Sequence, residues 1–276
     1  MGLKAACIGA AQRLEFPKKL GICERLFGAA LARRGVAWMP VRTGLRWKLD
    51  LRNPTHRWIV YGYYDPAFLK WAERRLTPAS VVVDSGANIG QTVLYLAARA
   101  RQGLVLAVEP GAHAAAWLAE CLEANRGKLG PVEIVRAALG AAKGEVFLED
   151  TWGGERFHGG SSSISAERGE RVPMIRLSDL LDEKKIASVD LWKLDVEGYE
   201  LEALEGARKH LEAKRIRALY VELFRQDKPE YFEHGLKIRR FLDSLGYDCY
   251  VFKGSRPGPV REAAPSRASD GLFLPR

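Results

Sequence analysis

The 276-residue chain has little of several residue types that carry chemistry: four cysteines, three methionines and five histidines. Cys7, Cys23, Cys121 and Cys249 form no C-x-x-C pair. Their spacing therefore describes neither a disulfide framework nor a structural zinc site. A reduced, cytoplasmic setting is the simplest reading. No apolar run approaches the roughly 20 residues needed to cross a bilayer. Met1 to Ala11 has one lysine and a weak apolar stretch, followed at once by Arg13 and Glu15. No small-residue cleavage site follows, which argues against a secretory leader. Met1-Gly2 opens like a myristoylation signal, but Ala6 stands where that signal needs Ser or Thr. There is no internal repeat.

What is present is apolar and basic. Hydrophobic residues make up 47% of the chain, enough for one sizeable core with a small appendage, and the net charge is +9. A basic balance suits anionic partners, and it also describes a plain solvated surface. Residues 1–44 read as a basic helical extension. Leu20, Cys23, Leu26, Phe27, Ala30 and Leu31 recur at helical spacing among Lys18, Lys19, Arg25, Arg33 and Arg34. Such a stripe packs on a core or lies against a membrane surface or partner.

Residues 45–276 then form the main domain, with its core sheet beginning near residue 80. Leu45–Leu51 alternates as a strand, and Trp58–Tyr61 reads as a second. Asp65-Pro66 opens a helix to about Arg75, broken by Thr77-Pro78-Ala79-Ser80. Strands and helices alternate beyond that point. The strands are Val81–Asp84, Leu104–Glu109, Val132–Ala138, Val189–Asp195, Ala218–Leu223, Tyr247–Phe252 and Gly271–Leu274. The helices are Ile89–Arg99, Ala112–Asn125, Glu200 to about Leu211, and about Leu236 to Leu245. This alternation argues for a mostly parallel sheet covered on both faces. Between Lys143 and Leu177 it fails. Glu145–Glu149 and Val172–Leu177 look like strands around a Gly/Ser-rich insert, Gly153–Ser165. Gly254–Ser269, rich in Pro, Arg and Ser, reads as a loop.

The strongest motif is VVVDSGANIGQT, Val81 to Thr92. Three valines make a buried strand, Asp84 sits at its carboxyl end, and Gly86 and Gly90 bracket the turn into a helix. In an open α/β sheet that turn lies where ligands bind. Gly86 admits positive φ and close backbone approach. The helix start offers N–H groups to an anion. The spacing is not G-x-G-x-x-G, which disfavours a dinucleotide and a nicotinamide oxidoreductase. A D-x-G-x-x-x-G turn suits the amino-acid end of S-adenosylmethionine. Glu109 ends the next strand a little over 20 residues past the turn, where a carboxylate accepts from both ribose hydroxyls.

VDSGANIGQT, AVEP, RAALG, SSSIS, VPMIRLSDLL, WKLDVEGYELEALEGA and YVELF, in this order, resemble the FkbM family of class I methyltransferases. The resemblance covers roughly Leu45 to the C-terminus. It implies an α/β, Rossmann-like fold whose seven-stranded, mostly parallel sheet has one antiparallel strand. It also implies S-adenosylmethionine as donor and O-methylation, often of sugars, polysaccharides or natural products. By position it assigns Asp84, Gly86, Asn88, Gly90 and Gln91 to the cofactor turn, Glu109 to the ribose, and Ala137 and Ala138 to the surroundings of the adenine. Ser85 departs from the aliphatic residue common at its position.

Methyl transfer from a sulfonium requires alignment and a group that accepts the acceptor's proton. Lys193, Asp195 and Glu197 follow one another at alternate positions in LWKLDVEGYE, on one side of an extended segment. Asp195 is the candidate base or substrate anchor, Lys193 its charge partner, Glu197 a substitute. Gly198 permits a turn, and Glu200 suits a helix start. Glu222, ending YVELF, is a second candidate for substrate hydroxyls, against a salt bridge to Arg225. A divalent cation on Asp195, Glu197 and Glu222 is the weaker alternative, and no metal site is assigned. His158 and Ser161, Ser162 and Ser163 lie in the Gly/Ser insert as a mobile base or closing loop, or as plain loop. His56, His113, His210 and His234 have no catalytic spacing. The reading is an O-methyltransferase acting on a small-molecule or glycan acceptor, with no specific nucleic acid partner. RNA methylation and a non-catalytic cofactor-binding or partner-recruiting module are its rivals.

Overall fold

The computed structural model describes residues 8–12, 14, 16–41, 43–62, 64–150, 162–165, 168–223, 230–253, 256–260 and 270–276. Near the N-terminus, Lys19–Cys23 and Ala29–Ala32 are α-helical, joined by a π-helical turn, Glu24–Gly28. Cys23 and Leu31 of the predicted stripe are buried, whereas Leu26 is 62% exposed. The π-turn takes up an extra residue per turn and rotates Leu26 off the packed face.

The chain then forms a hairpin of β1 (Val36–Pro40) and β2 (Arg46–Asp50), which lies on both sides of residue 44. Trp47, Leu49 and Leu51 of this region are fully buried in the same core as Val82 and Leu94. Asn125 fastens the hairpin to the end of the Ala112–Ala124 helix. Its Oδ1 accepts from Arg46 N at 2.9 Å, and its Nδ2 donates to the carbonyls of Arg46 and Cys121, both at 2.7 Å. Trp58–Tyr61 is not a strand. It belongs to a helix, Pro54–Val60, because Asn53 caps the amide of Thr55 and Pro54 occupies the first turn. The Pro66–Arg75 helix follows.

The remaining strands are β3 (Val81–Ser85), β4 (Leu104–Val108), β5 (Val132–Val135), β6 (Ala138–Leu139), β7 (Gly144–Asp150), β8 (Ser162–Ser165), β9 (Glu170–Ile175), β10 (Leu191–Leu194), β11 (Leu219–Glu222), β12 (Tyr247–Lys253), β13 (Arg256–Pro259) and β14 (Asp270–Pro275). Eight form the main sheet in the order β13-β12-β14-β11-β10-β3-β4-β5. β5, β4, β3, β10 and β11 run parallel, and β14 is antiparallel to both β11 and β12. This is the Rossmann-like α/β architecture that the sequence implies. Its seven strands are joined at the edge by an eighth, β13, antiparallel to β12. The strand order reverses between β3 and β10. The crevice at their carboxyl ends is where such sheets bind ligands.

Several boundaries differ from the sequence reading. The strand predicted over Val132–Ala138 splits at Arg136. Beyond it, β6 joins a second sheet, β6-β9-β7-β8. The insert thus folds around β7 and β9, with Ser162 and Ser163 on β8. His158 and Ser161 lie outside the described residues. β9 ends at Ile175, and a helix over Leu177–Glu183 follows, burying Leu177, Leu180 and Leu181 on one face. The helix predicted from Ile89 begins at Val93. That predicted over Glu200–Leu211 breaks at Ala207, and the next runs Glu230–Ser244. Among the described residues no helix is long and apolar enough to cross a membrane.

Replacing Asn125 by Ala leaves the Arg46 amide and the Arg46 and Cys121 carbonyls without their side-chain partner. We expect a loss of about 2–3 kcal/mol in urea unfolding.

Candidate active site

Pairing across the sheet places Asp84 of β3, Lys193 of β10 and Tyr220 of β11 side by side, in one row on one face. Lys193 is 4% exposed. Its Nζ donates to Asp195 Oδ2 at 3.0 Å and lies 3.9 Å from Asp84 Oδ1. Burial alone would lower the Lys193 pKa, but Asp195, Asp84 and Tyr64 outweigh it and hold the ammonium well above its ordinary value. Asp84 is fully buried. Its Oδ2 accepts from the Thr92 hydroxyl, and Oδ1 makes no hydrogen bond. Burial raises its pKa to about 6, with Lys193 and Thr92 opposing.

The turn after β3 is built as its glycines suggest, for a partly different reason. Gly86 has φ +76°, and a Cβ there would stand 1.7 Å from the Asp195 carbonyl oxygen. The bare backbone admits the end of β10 itself. Gly90 has φ +88°, and a Cβ would meet Leu118 and Leu94 at 2.6 Å. The amides of Gly86 and Ala87 donate to Val108 O, and that of Gly90 to Ala87 O. Glu109, 5% exposed, accepts from Asn88 N on Oε2 at 2.7 Å and from Gly111 N on Oε1 at 2.8 Å. Its carboxylate therefore locks the β3 and β4 turns together. Asn88 has φ 47°, and its Oδ1 is a buried acceptor with no hydrogen bond. Gln91, Ala137 and Ala138 are buried, at 5%, 3% and 5% exposure. Ser85 Oγ accepts from Trp192 Nε1 at 2.9 Å, giving the polar residue at this position a buried partner.

β10 stops at Leu194, and Glu197 adopts φ 56°. The predicted alternation of Lys193, Asp195 and Glu197 is therefore broken by a left-handed turn after Asp195. Glu200 holds that turn. It is 1% exposed, its Oε1 accepts from Val196 N at 3.0 Å and Gly198 N at 3.1 Å, and its Oε2 lies 3.1 Å from His234 Nε2. The sequence reading gave Glu200 only a dipole role and His234 none. Thirty-four residues separate the pair, so no local spacing reveals it. His56 is structural. Its Nδ1 accepts from Asp50 N, and burial pushes its pKa down to about 4.

Lys193 and Asp195 open onto a cavity of ≈ 430 Å³ walled by Trp58, Tyr64, Asp65, Tyr220, Glu222 and Asp270. None of Trp58, Tyr64, Asp65 and Asp270 is a site candidate in the sequence reading. The Asp65-Pro66 pair was legible only as a helix start. Glu222 Oε2 is buried without a hydrogen bond, and burial, then Asp195, Glu197, Glu200 and Asp270, raise its pKa to about 9. Its alternative partner Arg225 lies outside the described residues. Among the described residues, no group of three or more His, Cys, Asp or Glu is arranged to hold a metal ion.

Gly86→Ala forces the ends of β3 and β10 apart. We expect lower stability and loss of donor binding, read by thermal melting and calorimetry. Glu222→Gln tests the buried acid. A carboxyl whose folded pKa is raised contributes stability below its ordinary pKa, near 4.5, and loses it as pH climbs towards 9. The melting temperature of Glu222→Gln should therefore gain on that of the natural protein as pH rises from about 5 to 9.

A methyltransferase FkbM domain model matches residues 84–249, from the carboxylate at the end of β3 into β12. The antimetabolite synthetase AmbE of Pseudomonas aeruginosa is 30% identical over 241 residues, a match covering 68% of this chain and 11% of that protein. The chain thus spans about a tenth of that relative's length. Among solved structures, a methyltransferase domain named METTL16 is similar with TM-score 0.45 at 14% identity, over 91% of this chain and 78% of that one. An rRNA methylase from Streptococcus thermophilus is similar with TM-score 0.42 at 13% identity, over 75% and 92%. Magnesium protoporphyrin IX methyltransferase of Synechocystis, solved with S-adenosylmethionine bound, is similar with TM-score 0.42 at 12% identity, over 80% and 84%. The family model covers more than half of the chain and both strand ends that build the site, and the chain belongs to the FkbM methyltransferase family.

Proposed function

We propose that this chain methylates a hydroxyl of a sugar, polysaccharide or related small molecule, with S-adenosylmethionine held at the β3–β4 turns. The observation that carries this reading is the cavity beside Lys193 and Asp195, in which carboxyl groups and the rings of Trp58, Tyr64 and Tyr220 share the wall. Carboxylates accept from hydroxyls, and aromatic faces cover apolar ring surfaces. The relative named as an antimetabolite synthetase also supports a small-molecule acceptor.

The turn fits the donor. The orphaned, buried Asn88 Oδ1 offers an acceptor there, and the Glu109 carboxylate stands between the two turns, on the amides of Asn88 and Gly111. The donor supplies an electrophilic methyl: the O–C bond forms, the C–S bond breaks, sulfur keeps the electron pair, and the hydroxyl proton must leave. Within the chain, Asp195 anchors the acceptor hydroxyl, and the Lys193 ammonium at 3.0 Å fixes its position and charge. Glu222, protonated at neutral pH, donates a hydrogen bond to a second acceptor oxygen.

Titration calorimetry should show donor binding, weakened about 10-fold or more in Glu109→Gln, because a charge-assisted hydrogen bond is lost. Methyl-labelled donor given to fractionated cell extract should label the carbohydrate or small-molecule fraction. Asp195→Asn should abolish that labelling while binding the donor normally. Label found in RNA instead would overturn the proposed acceptor.

A further inference from the structure

We propose that Asp65 is a catalytic residue that takes the proton of the acceptor hydroxyl on its Oδ2, while Asp195 stays a fixed charge on Lys193. This rests on the O-methyltransferase reading above. It concerns a residue that lies upstream of the segment matched by the family model, residues 84–249.

The backbone first shows that Asp65 is not there to start its helix. An aspartate before Pro66 at a helix N-terminus ordinarily caps the first turn. Here the side chain makes no capping hydrogen bond, and the residue adopts φ 43°, ψ 51°, in the left-handed region. That conformation is unfavourable for a residue with a Cβ and unusual before proline. The side chain instead reaches the cavity wall. There the Tyr220 hydroxyl donates to Oδ1 at 3.0 Å. Tyr220 is itself fixed, paired in register with Lys193 and stacked on Phe68 with ring centroids 4.1 Å apart. One oxygen is thus oriented by a hydroxyl, and among the described residues no donor meets the other.

The surroundings then separate the cavity's acids by task. Asp195 accepts directly from a buried ammonium, so its charge is already engaged in an ion pair. Among the described residues no cation pairs with Glu222, which holds its proton at neutral pH. Asp65 lies between. Burial and then Asp270, on the strand next to Tyr220, favour its neutral form, as does Asp195; the Tyr220 hydrogen bond and Lys193 favour its charged form. The balance places its pKa at about 7. Carboxyl groups divided in this way between fixed charge, proton donor and proton acceptor are a recurrent basis of acid–base assignment. The proton leaves the hydroxyl oxygen as that oxygen bonds the methyl carbon. Asp65 Oδ2 receives it, and returns it to solvent after product leaves.

Asp65→Asn tests this with little risk to folding, because Asn tolerates the left-handed conformation and still accepts from Tyr220. We expect kcat to fall roughly 10²–10⁴-fold with donor affinity unchanged, and the acid limb of the kcat–pH profile near 7 to disappear. Tyr220→Phe removes a bond that favours the ionised form and should move that limb to higher pH. A readout independent of turnover is the titration of carbon-13-labelled aspartate carboxyls by NMR. One resonance should titrate near 7, vanish in Asp65→Asn and shift upward in Tyr220→Phe. Full turnover by Asp65→Asn, or an Asp65 resonance titrating in the ordinary range near 4, overturns this inference alone. Absence of methyl transfer by the natural protein overturns the reading it rests on, and the catalytic role with it.

Discussion

A buried cation organises the carboxyl edge of this sheet. Taking an ammonium out of water costs several kcal/mol, and only close opposite charges repay it. Lys193 has two, Asp195 at 3.0 Å just past its own strand and Asp84 at 3.9 Å on the neighbouring one. Remove the cation and two carboxyl groups are left in the crevice, one of them fully buried. The register that sets Asp84 against Lys193, and Lys193 against Tyr220, is therefore also the register that brings the β3 turn and the cavity together. Fold and site share one electrostatic requirement.

Around that ion the structure uses carboxylates as clamps on backbone amides. Glu109 ties Asn88 to Gly111, and Glu200 ties Val196 to Gly198. Each fixes a loop at a strand end, where ligands bind in open α/β sheets. Gly86 lets the two loops close on each other, its missing side chain filled by the Asp195 carbonyl. A methyl transfer that depends on alignment needs such rigidity, because a misplacement of about 1 Å in a displacement reaction costs orders of magnitude in rate.

The sequence disclosed the parts of this arrangement that have local signatures. The valine strand, its terminal aspartate, the two glycines and an acid one strand on are read from composition and spacing, as is the alternation that yields the main sheet. It did not disclose what depends on distant partners. Glu200 and His234 meet across 34 residues, and nothing near either one signals it. Trp58 looked like strand because Trp, Ile and Val favour strands, yet Asn53 and Pro54 start a helix. Asp65 read as a helix opener, because an Asp-Pro pair so often is one. Its left-handed backbone and its bond to Tyr220, 155 residues away, belong to tertiary structure alone. The polar character of the insert concealed β8, a strand whose backbone pairs with β7.

If the buried ammonium holds the edge together, its two partners must be energetically coupled to it. A double-mutant cycle by urea unfolding measures this directly. The account predicts that Lys193→Met costs about 3–5 kcal/mol, because it leaves the fully buried Asp84 and the half-buried Asp195 without their counter-charge. It further predicts that adding Asp84→Asn returns part of that loss. A Lys193→Met protein as stable as the natural one, or two losses that simply add, would contradict it.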